Sequence, residues 1–184
     1  MGPAGVRPMN RDNIRVLFSA EAIAERNTAL VREIADTKPE RLLVVAVLKG
    51  SFVFAADLIR AMDAAGMAPE VEFMSLSSYL DGTVSTGQVR VLHDVESPVE
   101  GRDVLLVDDI LESGRTLTYA KDLLMARGAR SVRTCVLLEK PGKRAVHLEA
   151  NHVGFTCPDV FVVGYGMDVA HAWRQLPFVG VIED

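Results

Sequence analysis

Apolar residues along the chain follow two rhythms, one helical and one continuous. Ile23, Asn27, Leu30, Val31 and Ile34 recur at helical spacing, with Asn27 the one polar interruption. Ser19 is placed to cap that helix and Pro39 lies beyond its end. Leu42–Leu48 (LLVVAVL) is an unbroken aliphatic run, which predicts a strand covered on both faces at the centre of a parallel sheet. After the turn Lys49-Gly50-Ser51, a second helical pattern runs from Phe52 to Ala65 and stops at Gly66. Val71–Ser77 and Val104–Val107 predict further strands, the latter leading into Asp108-Asp109. Leu117, Ala120 and Leu124 lie on one face of a helix expected over Thr116–Arg127 and ended by Gly128, and Val132–Leu138 returns as a strand.

Strands alternating with helices at these intervals predict right-handed βαβ units, hence an α/β fold with a central, mainly parallel sheet flanked by helices. In such sheets ligands bind at the carboxyl ends of the strands. The short runs Val89–Leu92, Val153–Thr156, Phe161–Val163 and Val179–Ile182 predict a small antiparallel or mixed addition rather than a second domain. The length of 184 residues suits one domain, and neither an internal repeat nor a low-complexity tract occurs.

Composition narrows the function classes. A hydrophobic share of 49% with 24% charged residues is that of a globular protein. The net charge of -5 argues against binding a polynucleotide through its phosphates. Two cysteines, Cys135 in an apolar run and Cys157 before a proline, provide neither a disulfide framework nor a CxxC metal site, and are expected as buried thiols in a reducing compartment. No secretion signal and no apolar run of about 20 residues is present, so the expected location is the cytoplasm with no membrane partner. His93, His147, His152 and His171 lack metal-ligand spacing and are expected at the surface or in packing.

Chemistry is expected in three loops at strand ends: Lys49-Gly50-Ser51, Asp108 through Thr116, and the stretch from Glu139 to Arg144. In VLLVDDILESGRT a buried strand ends in two carboxylates and then turns straight into a helix. The first N–H groups of a helix lack internal partners, and Gly114 carries no side chain to obstruct an anion. Ser113 and Thr116 can add hydroxyl donors, while Asp108 and Asp109 can accept from a ribose diol or attract magnesium. A bare D-D or S-G-x-T fragment would mean only a solvated loop end and an ordinary cap; the whole string is far more specific and describes a sugar phosphate. It lacks the G-x-x-x-x-G-K-[ST] pattern and any lysine in the turn, which disfavours a nucleoside triphosphatase.

That string resembles the phosphoribosyl pyrophosphate motif of type I phosphoribosyltransferases. With VLKGS (Val47–Ser51), SSY (Ser77–Tyr79), LLEK (Leu137–Lys140) and VGF…PDVFVVGYGMD…WR (Val153–Arg174), the chain from about Val16 onward resembles the hypoxanthine-guanine phosphoribosyltransferase branch. The resemblance implies one phosphoribosyltransferase domain over 13–184 with a small hood of N- and C-terminal segments, a flexible extension over 1–12, and a mobile lid over 78–88. It implies that Glu112, Ser113, Gly114, Arg115 and Thr116 bind the 5′-phosphate, and that Asp108 and Asp109 bind the ribose hydroxyls and Mg²⁺. Pyrophosphate is assigned to Lys49, Gly50, Ser78, Tyr79 and Arg174, and a cis peptide between Leu48 and Lys49 is common in the family, where sequence alone would favour trans. Lys140 is implied as donor to a purine 6-oxo group, which would reject adenine, Phe161 as the stacking ring, Val162 as a backbone partner of the purine edge, and Asp168 as an acid near the purine that helps hold Mg²⁺ through water.

The implied substrates are phosphoribosyl pyrophosphate with hypoxanthine or guanine, and the implied assembly is a homodimer or homotetramer. Two positions depart from the family pattern: Glu112 stands where the family usually has Asp, and Met167 where it has an aliphatic residue. Glu112 keeps the charge of the catalytic acid on an arm one methylene longer, so it is expected to keep the proton-handling role. A xanthine-guanine or pyrimidine phosphoribosyltransferase shares the phosphate loop but should lack this pairing of LLEK with VFVVGYGMD. Nucleic-acid-binding regulators on the same fold would need a basic face, against which the acidic balance argues.

Overall fold

The computed structural model describes residues 11–81 and 84–183, with side chains between 78 and 88 outside the description. A single 3₁₀ turn, Arg11–Asn13, leads into β1 (Ile14–Phe18). The elements that follow are α1 (Ala20–Asp36), β2 (Leu43–Leu48), α2 (Phe52–Ala64), β3 (Glu70–Asp81), β4 (Val84–His93), β5 (Asp103–Leu111), α3 (Arg115–Ala126), β6 (Ser131–Glu139), β7 (His152–Thr156), β8 (Val162–Val163) and β9 (Val179–Ile182). Six strands form the main sheet in the order β4-β3-β2-β5-β6-β7. All neighbours in it run parallel except β4, which turns back antiparallel on β3. A separate antiparallel sheet, β1-β9-β8, brings the N- and C-terminal segments together.

The unbroken apolar character of β2 follows from having helices on both sides. Val44 and Ala46 face a core built with Ile23, Leu30, Ile34, Phe54 and Leu58 of α1 and α2. Leu43, Val45 and Val47 face the other core, with Leu117, Ala120 and Leu124 of α3. Successive residues of a strand point to opposite faces, so a strand between two helical layers has no polar position to spare. Truncating a buried leucine such as Leu30 would cost about 2–5 kcal/mol.

α1 begins where Ser19, in extended conformation, accepts the Ala22 N–H at 3.2 Å. Its polar interruption is explained by the fold: buried Asn27 donates to the Tyr165 hydroxyl at 3.0 Å, which donates to Asp57 of α2 at 2.6 Å. Both helix-ending glycines, Gly66 and Gly128, adopt positive φ as expected.

Two expectations need correction. Val89–Leu92 belongs to β4 and Val153–Thr156 to β7, the opposite edges of the main sheet; only the runs ending in β8 and β9 join the small second sheet, and their further partner is β1. The strand expected to stop at Val107 continues to Leu111, paired to β6 through Asp108↔Val136 and Ile110↔Leu138. Asp108 and Asp109 are therefore strand residues, not loop residues. The lid expected over 78–88 is traversed by paired backbone, Ser78↔Val89 and Leu80↔Ser85. The remaining part of that expectation, with the side chains of Ser78 and Tyr79, lies outside the described residues, as does the expected extension before residue 11.

Candidate active site

The carboxyl ends of β2 and β5 meet where the turn after β2 crosses the acids of β5. The peptide bond between Leu48 and Lys49 is cis. A Cβ added at Gly50 would lie 1.7 Å from Asp109 Oδ2, so the Asp109 carboxylate rests directly on the backbone of this turn. Gly166 closes in from the other side: its added Cβ would lie 2.2 Å from the Gly50 carbonyl oxygen. Asp108 accepts the Asp109 N–H at 2.9 Å, and Asp109 accepts the Ile110 N–H at 2.8 Å. Burial pushes both carboxyls above the ordinary aspartate range, and for Asp108 the neighbouring Asp109 charge adds to it. Acids held this way favour a diol, a proton or a cation beside them.

Past Leu111 the chain turns through Glu112 and Ser113 to Gly114, whose φ of +79° makes it the left-handed cap of α3. An added Cβ there would also approach Val146 to 3.2 Å. The helix starts at Arg115, one residue before the expected Thr116. A cavity of about 410 Å³ lies over this turn, lined by Lys49, Gly50, Asp108, Asp109, Glu112, Ser113, Gly114 and Thr116. Arg115, expected in the phosphate loop, is exposed and absent from this lining.

A second cavity of about 510 Å³ shares Lys49, Gly50 and Asp109 with the first and adds Phe161, Val162, Asp168 and Arg174. Phe161 is 60% exposed on its rim, which suits a ring awaiting a partner rather than a core residue. Arg174 pairs with Asp168 at 2.7 Å and donates to the Gly166 carbonyl at 2.7 Å. Asp168 also accepts the His171 N–H at 2.7 Å, so its loop is tied on itself. His171, expected only as surface or packing, is exposed at the edge of this cavity.

Lys140 lines neither cavity. It is 6% exposed at the end of β6, its N–H donating to the Leu111 carbonyl at 3.0 Å. Burial pushes the Cys157 thiol up, the Lys140 charge opposing the shift and the Glu112 charge adding to it. Cys135 and Cys157 are both free and buried, as expected.

Arg144 was not singled out by sequence. Its guanidinium donates to the carbonyls of Leu111 (2.9 Å), Glu112 (2.7 Å), Lys140 (3.2 Å) and Leu148 (3.2 Å), and to the Glu139 carboxylate at 2.6 Å. It thereby fixes the turn bearing Glu112 to the turn bearing Lys140. An arginine in a polar loop reads as solvated, and carbonyl partners leave no sequence pattern.

A roomier cavity, about 750 Å³, lies between α1, α2 and Arg174–Pro177; its lining is mainly apolar and contains neither the aspartate pair nor the turn before α3. Chemistry, not size, selects the site.

A doubly covered sheet with an acid pair and an open helix-start turn at its carboxyl edge is the layout of a phosphoribosyl transferase domain, and the model of that domain family matches residues 16–170. Among curated relatives, hypoxanthine-guanine phosphoribosyltransferase of Bacillus subtilis is 42% identical over 179 residues, covering 95% of this chain and 96% of its own length. The bifunctional protein TilS/HprT of Listeria innocua is 44% identical over 97% of this chain, which spans only 27% of that longer protein. Hypoxanthine phosphoribosyltransferase of Trypanosoma cruzi, solved with the product IMP, superposes with a TM-score of 0.87 at 36% identity, covering 96% of this chain and 98% of that one. The chain belongs to the hypoxanthine-guanine phosphoribosyltransferase family.

Proposed function

We propose that this chain transfers the 5-phosphoribosyl group of phosphoribosyl pyrophosphate to N9 of hypoxanthine or guanine, yielding IMP or GMP and pyrophosphate, a reaction of purine salvage. The observation that carries the reading is the Asp108–Asp109 pair on β5, set between the cis turn at Lys49-Gly50 and the cap at Gly114. Helix-start amides, with Ser113 and Thr116, would take the 5′-phosphate, and the two aspartates the ribose hydroxyls. Lys49, Gly50 and Arg174 would hold pyrophosphate, with Ser78 and Tyr79 on β3 contributing from the adjacent strand, and the exposed Arg115 steering from outside. Phe161 would stack on the purine and Val162 would meet its edge; Lys140, buried at the end of β6, would donate to its 6-oxo group. An amino group at that position presents hydrogens to an ammonium and is rejected.

Loss of pyrophosphate generates positive charge on the sugar, as in glycoside cleavage, and the purine N9 attacks the same carbon without a covalent enzyme intermediate. Glu112 would receive or steer the purine proton near N7. The donor set suits Mg²⁺: paired carboxylates supply few protein oxygens, and magnesium keeps most of its shell in water and substrate phosphates. Asp108 and Asp109 would hold the ion, with Asp168 acting through water, and the bound ion would neutralise charge on the leaving pyrophosphate.

Free buried thiols suit a reducing cytoplasm, and no described helix is long and apolar enough to cross a membrane. The working assembly is proposed as a homodimer or homotetramer. The test incubates the protein with Mg²⁺, phosphoribosyl pyrophosphate and each of hypoxanthine, guanine, xanthine, adenine and uracil. Formation of IMP or GMP without AMP is expected; turnover of uracil alone, or of adenine at comparable rate, would overturn the reading.

A further inference from the structure

Glu112 is the residue at which this chain departs from its family, and its longer arm raises a question of restraint. Its side chain is 44% exposed, and among the described residues its one polar contact is the Lys143 ammonium, 3.5 Å from Oε1. Lys143 is itself anchored: its ammonium donates to Asp159 Oδ1 at 2.5 Å. Asp159 sits in a tight turn, with the Val160 N–H donating to the Pro158 carbonyl at 2.8 Å, just before the rim residue Phe161. The backbone around Lys143 is equally fixed, since the Ala145 and Val146 N–H groups both donate to the Ser113 carbonyl, at 2.9 and 3.3 Å, and Arg144 holds the Glu112 carbonyl.

We propose that Lys143, anchored by Asp159, is a positioning residue that holds the Glu112 carboxylate toward the purine side of the cavity during transfer. The proposal rests on the proton-handling role given to Glu112 above. Two distances support it. The Lys143 ammonium, with three donors, meets Asp159 closely and stays 3.5 Å from Glu112, so it orients the Glu112 carboxylate by charge while leaving its oxygens open to a substrate proton. The hydrogen bond to Asp159, with the Glu112 contact adding, holds Lys143 above its ordinary value and therefore charged. Among the described residues neither Lys140 nor Cys157 hydrogen-bonds the Glu112 carboxylate, though both Lys140 and Glu112 act on the Cys157 thiol. An aspartate at position 112 would end about 1.5 Å short, one carbon–carbon bond, and lose this partner. Lys143 is thus matched to glutamate. It is 44% exposed, and exposed ion pairs carry little of a fold's stability, so its replacement leaves the fold intact.

The test measures kcat and the KM of each substrate, with Mg²⁺, for the parent, Lys143→Met, Lys143→Arg, Glu112→Asp, Glu112→Gln and the double variant Glu112→Asp/Lys143→Met. Lys143→Met is expected to lower kcat about fivefold, with the KM for phosphoribosyl pyrophosphate and the melting temperature unchanged, and Lys143→Arg to restore most of the loss. In the Glu112→Asp background, Lys143→Met should change kcat by less than about twofold, because the shorter side chain cannot reach. If Glu112→Gln collapses turnover while Lys143→Met is neutral, or costs the same in both backgrounds, this proposal fails and the role of Glu112 stands. Parental turnover in Glu112→Gln would remove both.

Discussion

Asp109 keeps its carboxylate in place by lying on a backbone that has no side chain. An alanine at position 50 would put its Cβ 1.7 Å from Asp109 Oδ2, a distance no relaxation of the methyl can relieve, so the acid must swing away. The residues displaced are those proposed to serve the ribose and pyrophosphate, not the core. Gly50→Ala is therefore expected to raise the KM for phosphoribosyl pyrophosphate at least tenfold, with the purine KM changing far less, in initial-rate measurements; an unchanged KM for phosphoribosyl pyrophosphate would contradict the assigned role of this contact. At this scale the sequence was informative where a role follows from residue type and position. The carboxylates and Gly114 of VDDILESGRT stand out in the sequence as candidates for a sugar and an anion, and the fold brings them to one cavity. The Gly50–Asp109 contact does not, because it joins a turn and a strand far apart in the chain, and Arg144 does not, because its partners are mostly carbonyls common to every residue. Lys140 follows a buried strand as expected, but its 6% exposure is a property of the packed loop.

Among the elements, helices and central strands were legible and strand partners were not. The α1 stripe predicted all five buried positions, Asn27 included, since the 3.6-residue period is local. Pairing is not local: Val89–Leu92 and Val179–Ile182 look alike as short apolar runs, yet one ends at an edge of the main sheet and the other between β1 and β8. What ties the small sheet to the helices is the Asn27–Tyr165–Asp57 chain of hydrogen bonds, on a loop that presses Gly166 against Gly50. Burial holds the Tyr165 hydroxyl protonated, well above its usual range, so it serves as donor and acceptor at every working pH. Removing the hydroxyl leaves Asn27 without a partner in the core. Tyr165→Phe should cost about 1–2 kcal/mol in denaturant unfolding, whereas Tyr119→Phe, on the exposed side of α3, should cost almost nothing; equal stability of the two variants would show that the chain of hydrogen bonds carries no weight.

Across the whole molecule the two ends of the sheet handle charge in opposite ways. At the carboxyl end, burial raises Asp108 and Asp109, so keeping them ionised opposes folding at neutral pH: their contribution is most favourable below the unfolded value and is lost as pH rises through the folded one. At the amino end, buried Arg102 donates to the Arg41 carbonyl at 3.0 Å and to Glu70 at 2.7 Å, bridging the starts of β2 and β3. Beside it Asp103 accepts from the Glu40 N–H at 2.8 Å, from Arg130 Nε at 2.9 Å and from the Ser131 hydroxyl at 2.7 Å, tying β5 to β6. The hydrogen bonds from Arg130, opposed by burial and aided by the other donors, hold Asp103 well below the ordinary carboxylate range. A depressed carboxyl contributes stability above its unfolded value, about 3.9, and loses it as pH falls toward its folded one. Asp103→Asn should therefore lower the melting temperature by a constant amount from pH 8 to about pH 5, and the gap should narrow as the pH falls below about 4, where the parent begins to lose the same interaction. Because the change lies at the opposite end of the sheet from Asp109 and Gly114, kcat at 25 °C should stay within about twofold of the parent. A gap that persists undiminished at pH 3 would mean that Asp103 contributes by packing rather than charge, and a large loss of kcat would mean that the two ends are coupled through β5.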